Sequence, residues 1–481
     1  MAVFPISNRR QRSAILIILY LFVLYIFPPP ARTEDRSKRY DPTTLVFPSF
    51  LHTYGIRKAT RLHLALFTQN KVQFDDPQGL AVVRLQAWED TTTTKDDDEV
   101  TVYGVNSGQH CIIFNTSMKS IGIYGLKETG EQRLSRPRGI AANAKGDVYV
   151  ADTGNHRLVH LFNPGHGLLF KQSVGQRGAA KGQFDGPRGV ALDSQGRVYV
   201  TDHGNHRVQV FAADLKFLYS WGEAGHKAGQ LLAPDGIAVT DRKEFWSYYR
   251  EDFVVVIDGN HDRIQQFDLQ GRWLKQITAA EFGHPNCFLA YITLDYYNNI
   301  YVTDTKNHCV HKFDHQLNYL TSYGRYGDGD KEFIEPRGIT NYRRFGQMFV
   351  AEKWGAQYFW IGTDCFDFKA VAVPGKNLFQ FTYFLTEPAF VTTDILDAEK
   401  RLITRLWLRQ FKGCGRQSDA WSGTIWAVAD SVFIKEGRKP SPLYQPGHLI
   451  PAGNYLVQMQ IEPTYSSYHY FKKTIVADIK N

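Results

Sequence analysis

Residues 198–211 read VYVTDHGNHRVQVF, and this stretch decides the fold. Two runs of alternating apolar residues flank a short polar turn, Asp202 to His206, which is the pattern of a β-hairpin. Related stretches recur at residues 148–157, 256–263 and 301–308. The period of roughly 50 residues, built from short strands, predicts a β-propeller.

A proline opens each repeat and precedes a short apolar strand. Four antiparallel strands follow each proline, so the sequence predicts an all-β chain with a six-bladed propeller. Residues 61–67 are expected to form the missing outer strand of blade six, because a closed ring leaves no sheet edge exposed. The six openings are Pro77-Gln78-Gly79, Pro137-Arg138-Gly139, Pro187-Arg188-Gly189, Pro234-Asp235-Gly236, Pro285-Asn286-Cys287 and Pro336-Arg337-Gly338.

The repeated turns Asn155-His156-Arg157-Leu158 and Asn205-His206-Arg207-Val208 resemble the NHL repeat, named for Asn-His-Leu. The similarity extends over about residues 62–373. Known NHL propellers include RNA-binding modules, a peptide-amidating lyase and exported bacterial proteins, so the resemblance implies a fold and leaves function to the site. The recurring turn itself is expected to be structural, with Gly154 and Gly204 taking positive φ angles.

Four segments are expected along the chain. An apolar run at residues 14–27 follows three arginines and ends at three prolines. Residues 1–31 are therefore interpreted as an export signal, either cleaved or kept as a membrane anchor. Residues 32–58 form a linker, residues 59–373 the propeller, and residues 376–481 a second domain. Export places the protein outside the cytoplasm, at the cell surface or on a membrane.

The second domain is predicted to be an immunoglobulin-like β-sandwich, because short strands alternate with glycine- and proline-containing turns. The motifs Trp421-Ser422-Gly423 and Pro451-Ala452-Gly453 resemble the immunoglobulin-like domain of flagellar hook-capping proteins. The final stretch, residues 472–476, is similar to C-terminal sorting domains of the type IX secretion route.

The chain is basic, with a formal net charge of +8. This charge favours anionic partners and leaves nucleic acid, phospholipid and acidic glycan open. Five cysteines among 481 residues do not form a disulfide framework. Cys111 and Cys309 occupy the position that arginine fills in other repeats, and are interpreted as small buried residues.

The residue after each proline is expected at the mouth of the central channel. None of the six is histidine, so a zinc site of the three-histidine type is not supported, and the arginines oppose a calcium ion. Either the arginines bind a carboxylate, sulfate or phosphate, or each stacks on a neighbouring blade. The six residues are Gln78, Arg138, Arg188, Asp235, Asn286 and Arg337.

Two insertions interrupt the period. Residues 89–99 are rich in threonine and aspartate and are expected to form a solvated loop. Residues 241–252 carry Phe245, Trp246, Tyr248 and Tyr249. These aromatic residues form either an exposed binding patch or a segment that folds back onto its blade.

The function expected is that of an exported or membrane-anchored recognition or scaffold protein without enzymatic activity, metal or cofactor. It would bind a protein, a peptide or an anionic glycan through the propeller face. Export disfavours nucleic acid as a partner. The alternative is an exported propeller enzyme, a lyase or a hydrolase, with an unrecognised site in its channel.

Overall fold

The computed structural model describes residues 58–88, 100–117, 120–464 and 472–480, together with the backbone of residues 45–46, 51–52 and 55–56. The predicted export signal at residues 1–31, most of the linker and the loop at residues 89–99 lie outside these residues. No helix in the described part of the chain is long and apolar enough to cross a membrane. The regular secondary structure is almost entirely β, with 48% of residues in strands and 7% in helices, which confirms the all-β prediction.

Six antiparallel sheets follow one another along the first part of the chain. Each sheet is a blade whose strands run outward from the centre, so the propeller prediction is confirmed. The strands of blades one to three are Pro77–Val83, Thr101–Asn106, Cys111–Ser117 and Ser120–Tyr124; Ile140–Ala142, Asp147–Asp152, Arg157–Phe162 and Leu169–Val174; and Pro187–Leu192, Val198–Asp202, Arg207–Phe211 and Phe217–Trp221.

Blades four and five have the same order, and blade six is completed by strands from the N-terminal side of the ring. Their strands are Ile237–Thr240, Phe253–Asp258, Arg263–Phe267 and Trp273–Thr278; Leu289–Leu294, Ile300–Asp304, Cys309–Phe313 and Tyr319–Tyr323; and Ile339–Tyr342, Gln347–Glu352 and Gly355–Ile361. A separate two-stranded hairpin joins Leu51–His52 to Gly55–Ile56.

The innermost strands form a closed ring in which neighbouring backbones touch. A Cβ atom at Gly139 would lie 2.1 Å from the carbonyl oxygen of Arg188 in blade three. A Cβ atom at Gly338 in blade six would lie 2.1 Å from the carbonyl oxygen of Gln78 in blade one. Blade six therefore meets blade one in the same way as blade two meets blade three.

The expectation for residues 61–67 is wrong, because Arg61–Thr68 is an α-helix. Thr60 caps the first turn, where its side chain accepts from the N–H of His63 and its own N–H donates to the His63 ring. The expectation came from the need to close the ring, but a capping box at Thr60 starts a helix. Helical geometry then leaves Leu62 and Leu66 exposed.

Blade six is closed instead by residues that precede this helix. Lys58–Thr60 and Leu45–Val46 both pair antiparallel with Gly355–Ile361, the third strand of that blade. The predicted linker thus contributes backbone to the ring. Its strands cover what would otherwise be an exposed sheet edge.

The recurring turn holds each blade together and fixes it to the next. Arg207 Nε donates to Asp202 at 2.8 Å, and Nδ1 of His206 accepts from the N–H of Ala233 at the start of the next blade. His206, and not Gly204, has the left-handed backbone, with φ 55°. Gly204 is required for space, since a Cβ atom would lie 2.6 Å from the carboxylate of Asp185.

A second domain of two packed sheets follows the ring. One sheet contains Cys365–Ala372, Phe379–Leu385 and Gly415–Trp421, and the other Leu402–Lys412, Ala389–Leu396, Asn454–Pro463 and Lys473–Lys480. Side chains from both sheets share one core, for example Phe381 with Val457. A short helix, Asp430–Lys435, lies in the connection after Gly415–Trp421.

The boundary between the domains lies earlier than the predicted residues 373–376. Cys365–Ala372 pairs with Phe379–Leu385, and its side chains Phe368 and Ala370 pack into the core of the sandwich. The sandwich contacts blade five of the propeller. Tyr297 hydrogen-bonds Thr464 at 2.9 Å, which joins the two domains directly.

Candidate functional site

The innermost strands enclose a channel with two ends. We call the end at the Pro-x-Gly openings the proline mouth, and the opposite end, at the loops that follow the inner strands, the loop mouth. A cavity of about 720 Å³ lies between the inner strands and extends to the loop mouth. Its wall is about equally polar and apolar. All six blades contribute aliphatic side chains to it, namely Leu80, Ile140, Val190, Ile237, Ile292 and Ile339.

Most of the predicted arginines at the proline mouth are neutralised within the protein. Arg188 pairs with the buried Asp235 at 2.6 Å, and Arg337 pairs with Asp76, which precedes the first proline. Arg138 is half-buried and has no carboxylate partner among the described residues. Three arginines and two aspartates therefore meet at this mouth, and Arg138 alone of the three is unpaired.

Asn286 does not belong to the ring of channel residues, so this part of the site prediction is wrong. In blade five Leu289 stands opposite Asp304, as Pro187 stands opposite Asp202 in blade three. The residue equivalent to Arg188 is therefore Ala290. Asn286 lies four residues earlier and is exposed.

Tyr291 is the residue at the proline mouth that was missed. It occupies the position of the opening glycine in the other blades, and its hydroxyl donates to Oε1 of Gln78 in blade one at 2.7 Å. Blades five and one are not adjacent, so the side chain crosses the channel. Burial raises the pKa of Tyr291, and Arg138, Asp235 and other charged residues of the ring surround it. Counting back from Asp304 instead of forward from the proline would have found it.

The loop mouth carries two polar residues from blade six that lack full partners. Asn341 is buried in the cavity wall, and neither its amide oxygen nor its nitrogen has a hydrogen-bond partner among the described residues. The neighbouring Arg343 is half-buried and donates to the hydroxyl of Thr240 at 3.2 Å. Unsatisfied buried polar groups of this kind are rare and indicate a missing water, ion or ligand.

Two opposing effects act on the guanidinium of Arg343. Burial lowers the pKa of this guanidinium, while the more distant carboxylates of Glu244, Asp295 and Asp241 act in the opposite direction. None of them forms an ion pair with Arg343 in the described part of the chain, where this side chain donates to the neutral hydroxyl of Thr240. A guanidinium still charged in such a place can form charge-assisted bonds to a carboxylate.

The predicted aromatic patch divides into two pairs. Phe245 and Trp246 line the cavity at the loop mouth, with the Phe245 side chain 71% exposed. Arg344 lies over the Trp246 ring at 5.1 Å. The second pair contacts blade five and does not fold back onto its own blade. Tyr248, itself 37% exposed, lies against the rings of two tyrosines, and Tyr249 stacks on a histidine of that blade.

Comparison with known proteins agrees with the repeat architecture. Residues 134–161 and 184–211 match the NHL repeat, so the propeller contains NHL repeats. Over 194 residues the chain is 29% identical to Protein brain tumor of Drosophila melanogaster. That match covers 40% of this chain and spans only 13% of the length of the fly protein.

Solved structures include distant similarities. Virginiamycin B lyase from Staphylococcus aureus shares 15% identity with a TM-score of 0.39, covering 56% of this chain and 78% of the lyase. A gluconolactonase from Xanthomonas campestris shares 12% identity with a TM-score of 0.41, covering 68% of this chain and 99% of the lactonase. What the channel binds must therefore be inferred from its own residues.

Proposed function

We propose that the protein is a non-enzymatic recognition protein that binds the carboxylate of a protein or peptide at the loop mouth. The observation that carries this proposal is the pair Asn341 and Arg343 at one cavity. The amide has no partner among the described residues, and the guanidinium has a neutral one. A carboxylate can accept from both, because it has two oxygens with several lone pairs.

The rest of the cavity is compatible with a peptide. Aliphatic side chains of the inner strands share its wall with polar and charged side chains, and Phe245 and Trp246 also line it. Ligand pockets commonly combine apolar surface with polar groups that fix orientation. A carboxylate next to an apolar side chain uses both kinds of surface.

Acid–base catalysis is less well supported by the carboxylates of this cavity. Asp193 is held by Arg197 at 2.6 Å, and Asp147 lies 2.9 Å from His160 Nε2. Glu244 accepts from the backbone N–H of Trp246. Carboxylates held in structural pairs are poorly placed to exchange protons with a substrate, which favours binding over a lyase or hydrolase reaction.

The second domain and the cellular location complete the proposal. The first, second and fifth strands of the sandwich share one sheet, and the third, fourth, sixth and seventh share the other. This division supports an immunoglobulin-like domain, apart from the fourth strand, which lies beside the third. The apolar run at residues 14–27 supports export to the cell surface or a membrane.

The test uses a library of short peptides, each prepared with a free and with an amidated C terminus. We expect the full chain to retain peptides only in the free-acid form. Replacing Arg343→Gln should weaken this binding about tenfold or more, since bonds between charged groups contribute about 1.5–3 kcal/mol. Phe245→Ser changes an exposed residue and should weaken binding without affecting the fold.

Arg138→Gln is the matched control, because it removes the unpaired arginine at the opposite mouth. It should leave peptide binding unchanged. Equal binding of free and amidated peptides would overturn the proposal. Loss of binding in Arg138→Gln but not in Arg343→Gln would place the anion at the proline mouth instead.

A further inference from the structure

Blade five contains a buried group of three side chains with different donor atoms. Asp304, Cys309 and His311 lie on two paired strands, and their donor atoms all fall within 4.8 Å of one another. His311 Nε2 lies 3.2 Å from Asp304 Oδ2 and 3.9 Å from Cys309 Sγ. Together they present one oxygen, one sulfur and one nitrogen to a common point.

The same positions in blades three and four carry a different and self-sufficient set. Asp202 is bonded by Arg207 and Gln209, and Asp258 in blade four is bonded by Arg263 in the same way. Each buried carboxylate there has a cation beside it. In blade five, cysteine replaces the arginine and histidine replaces the glutamine, while the aspartate remains.

Blade two keeps the arginine, with Arg157 bonded to Asp152, whereas blades one and six have lost it. In blade one, Cys111 stands opposite Asn106, so the carboxylate has disappeared together with its cation. In blade six, Glu352 keeps a cation, because Lys58 Nζ lies 3.9 Å away. Blade five is the exception among the described blades. Its arginine has been replaced, but the fully buried Asp304 has not been replaced by an uncharged residue.

We infer that Asp304, Cys309 and His311 bind a zinc ion that supplies the missing positive charge. Zinc prefers nitrogen and sulfur donors, and its donors at about 2.0–2.3 Å in tetrahedral geometry lie roughly 3.3–3.6 Å apart. The two separations that involve His311, 3.2 and 3.9 Å, are close to these values, and the third donor pair lies within 4.8 Å.

The other nitrogen of the histidine is already held. His311 Nδ1 lies 2.6 Å from Ser322 Oγ, which in turn lies 2.7 Å from the Tyr319 hydroxyl. Metal-binding histidines are usually oriented by such a hydrogen bond on the nitrogen that does not bind the metal. The His284 ring lies 4.6 Å from the His311 ring, and its Nε2 lies near the same Ser322 and Tyr319 hydroxyls, so His284 belongs to this hydrogen-bonded network.

The experiment measures zinc in the full chain, produced in zinc-supplemented medium and purified without chelator. Mass spectrometry of the metal should find about one zinc ion per chain. Cobalt substitution should give the thiolate-to-cobalt charge-transfer band that requires a cysteine ligand. Cys309→Ser should lower the zinc content about tenfold, as expected when a ligand is lost.

Two control variants distinguish loss of zinc from loss of folding and from a general effect of removing a cysteine. The double variant Cys309→Arg with His311→Gln rebuilds the set found in blades three and four, so it should fold without zinc. Cys111→Ser removes the cysteine at the equivalent position of blade one and should retain zinc. A chelator should lower the melting temperature of the wild type and leave that of the rebuilt variant unchanged.

Two results would overturn the inference. One is a wild-type chain that carries no more zinc than the rebuilt variant. The other is a wild-type cobalt spectrum without the charge-transfer band. Either would show that the hydrogen bonds from His311, Asn307 and the backbone are sufficient for Asp304.

Discussion

Nζ of Lys312 in blade five lies 2.5 Å from Oε1 of Glu387 in the sandwich, and both side chains are buried. Lys312 also lies 3.2 Å from Asp364, in the segment that links the two domains. Asp295 is a third carboxylate that acts on this lysine. One buried lysine thus interacts with three carboxylates at the boundary between the propeller and the sandwich, which we call the seam.

Replacing Lys312→Met should therefore destabilise the protein strongly. The substitution keeps the side-chain volume but leaves buried carboxylates without a cation, which typically costs about 3–5 kcal/mol. Chemical denaturation of the full chain measures the loss. Lys216→Met is the control, because its pair with Asp214 is exposed and should change the free energy of unfolding by less than about 1 kcal/mol. Equal effects would show that the seam does not depend on this charge.

The same seam predicts a dependence on pH. Burial raises the pKa of Glu387 from 4.5 to about 7, with Lys312 opposing and the neighbouring aspartates adding to the rise. The folded state therefore holds a proton that the unfolded state releases between these two values. Stability contributed by the protonated carboxyl is present at low pH and is lost as pH rises towards 7.

Glu387→Gln isolates this effect. The free energy of unfolding of the wild type minus that of the variant should fall by up to about 1.4 kcal/mol per pH unit between pH 4.5 and 7. Denaturation of both proteins across this range checks the slope. A difference that stays constant, or one that rises with pH, would contradict the raised pKa.

Gly139→Ala should disturb the closed ring. The added methyl group would lie 2.1 Å from the carbonyl oxygen of Arg188, a backbone atom that cannot move without its blade. Overpacking of this kind costs about 1–3 kcal/mol or more. Gly167→Ala is the control, because nothing lies within 4 Å of its added atom. Melting temperatures of the two variants should differ clearly, with only the first lowered.

Tyr291→Phe removes the hydroxyl that reaches Gln78 across the channel. Because Gln78 is buried, its amide oxygen would lose a hydrogen bond, at a cost of about 1–3 kcal/mol. Tyr326→Phe alters a side chain that is 69% exposed and should be neutral. Thermal unfolding measures the melting temperature of each variant. If the two melting temperatures are equal, the hydroxyl contact across the channel does not contribute to stability.

The fold was predictable because its decisive contacts are local and repeated. Asp202 and Arg207 are five residues apart and bond each other directly, so the sequence of one turn specifies its structure. The helix that begins at Arg61 was not predictable from apolar alternation. Leucines at every second position fit a strand, and the capping of Thr60 by His63 decided otherwise.

The site was only partly predictable, for physical reasons. A proline places the channel residue only when the strand starts in the same register, and blade five starts at Leu289 instead. The charge of Arg337 could be read from the sequence. Its ion pair with Asp76 could not, because the two residues are far apart in the chain. Asn341 and Arg343 have no repeated counterpart, so no periodic pattern marks them.

The contact between Tyr291 and Gln78 joins blades five and one, which are not neighbours in the ring. These two blades are therefore connected both through blade six and directly, by one hydrogen bond at the proline mouth. A displacement of either blade is restrained by the other without passing through the blade between them.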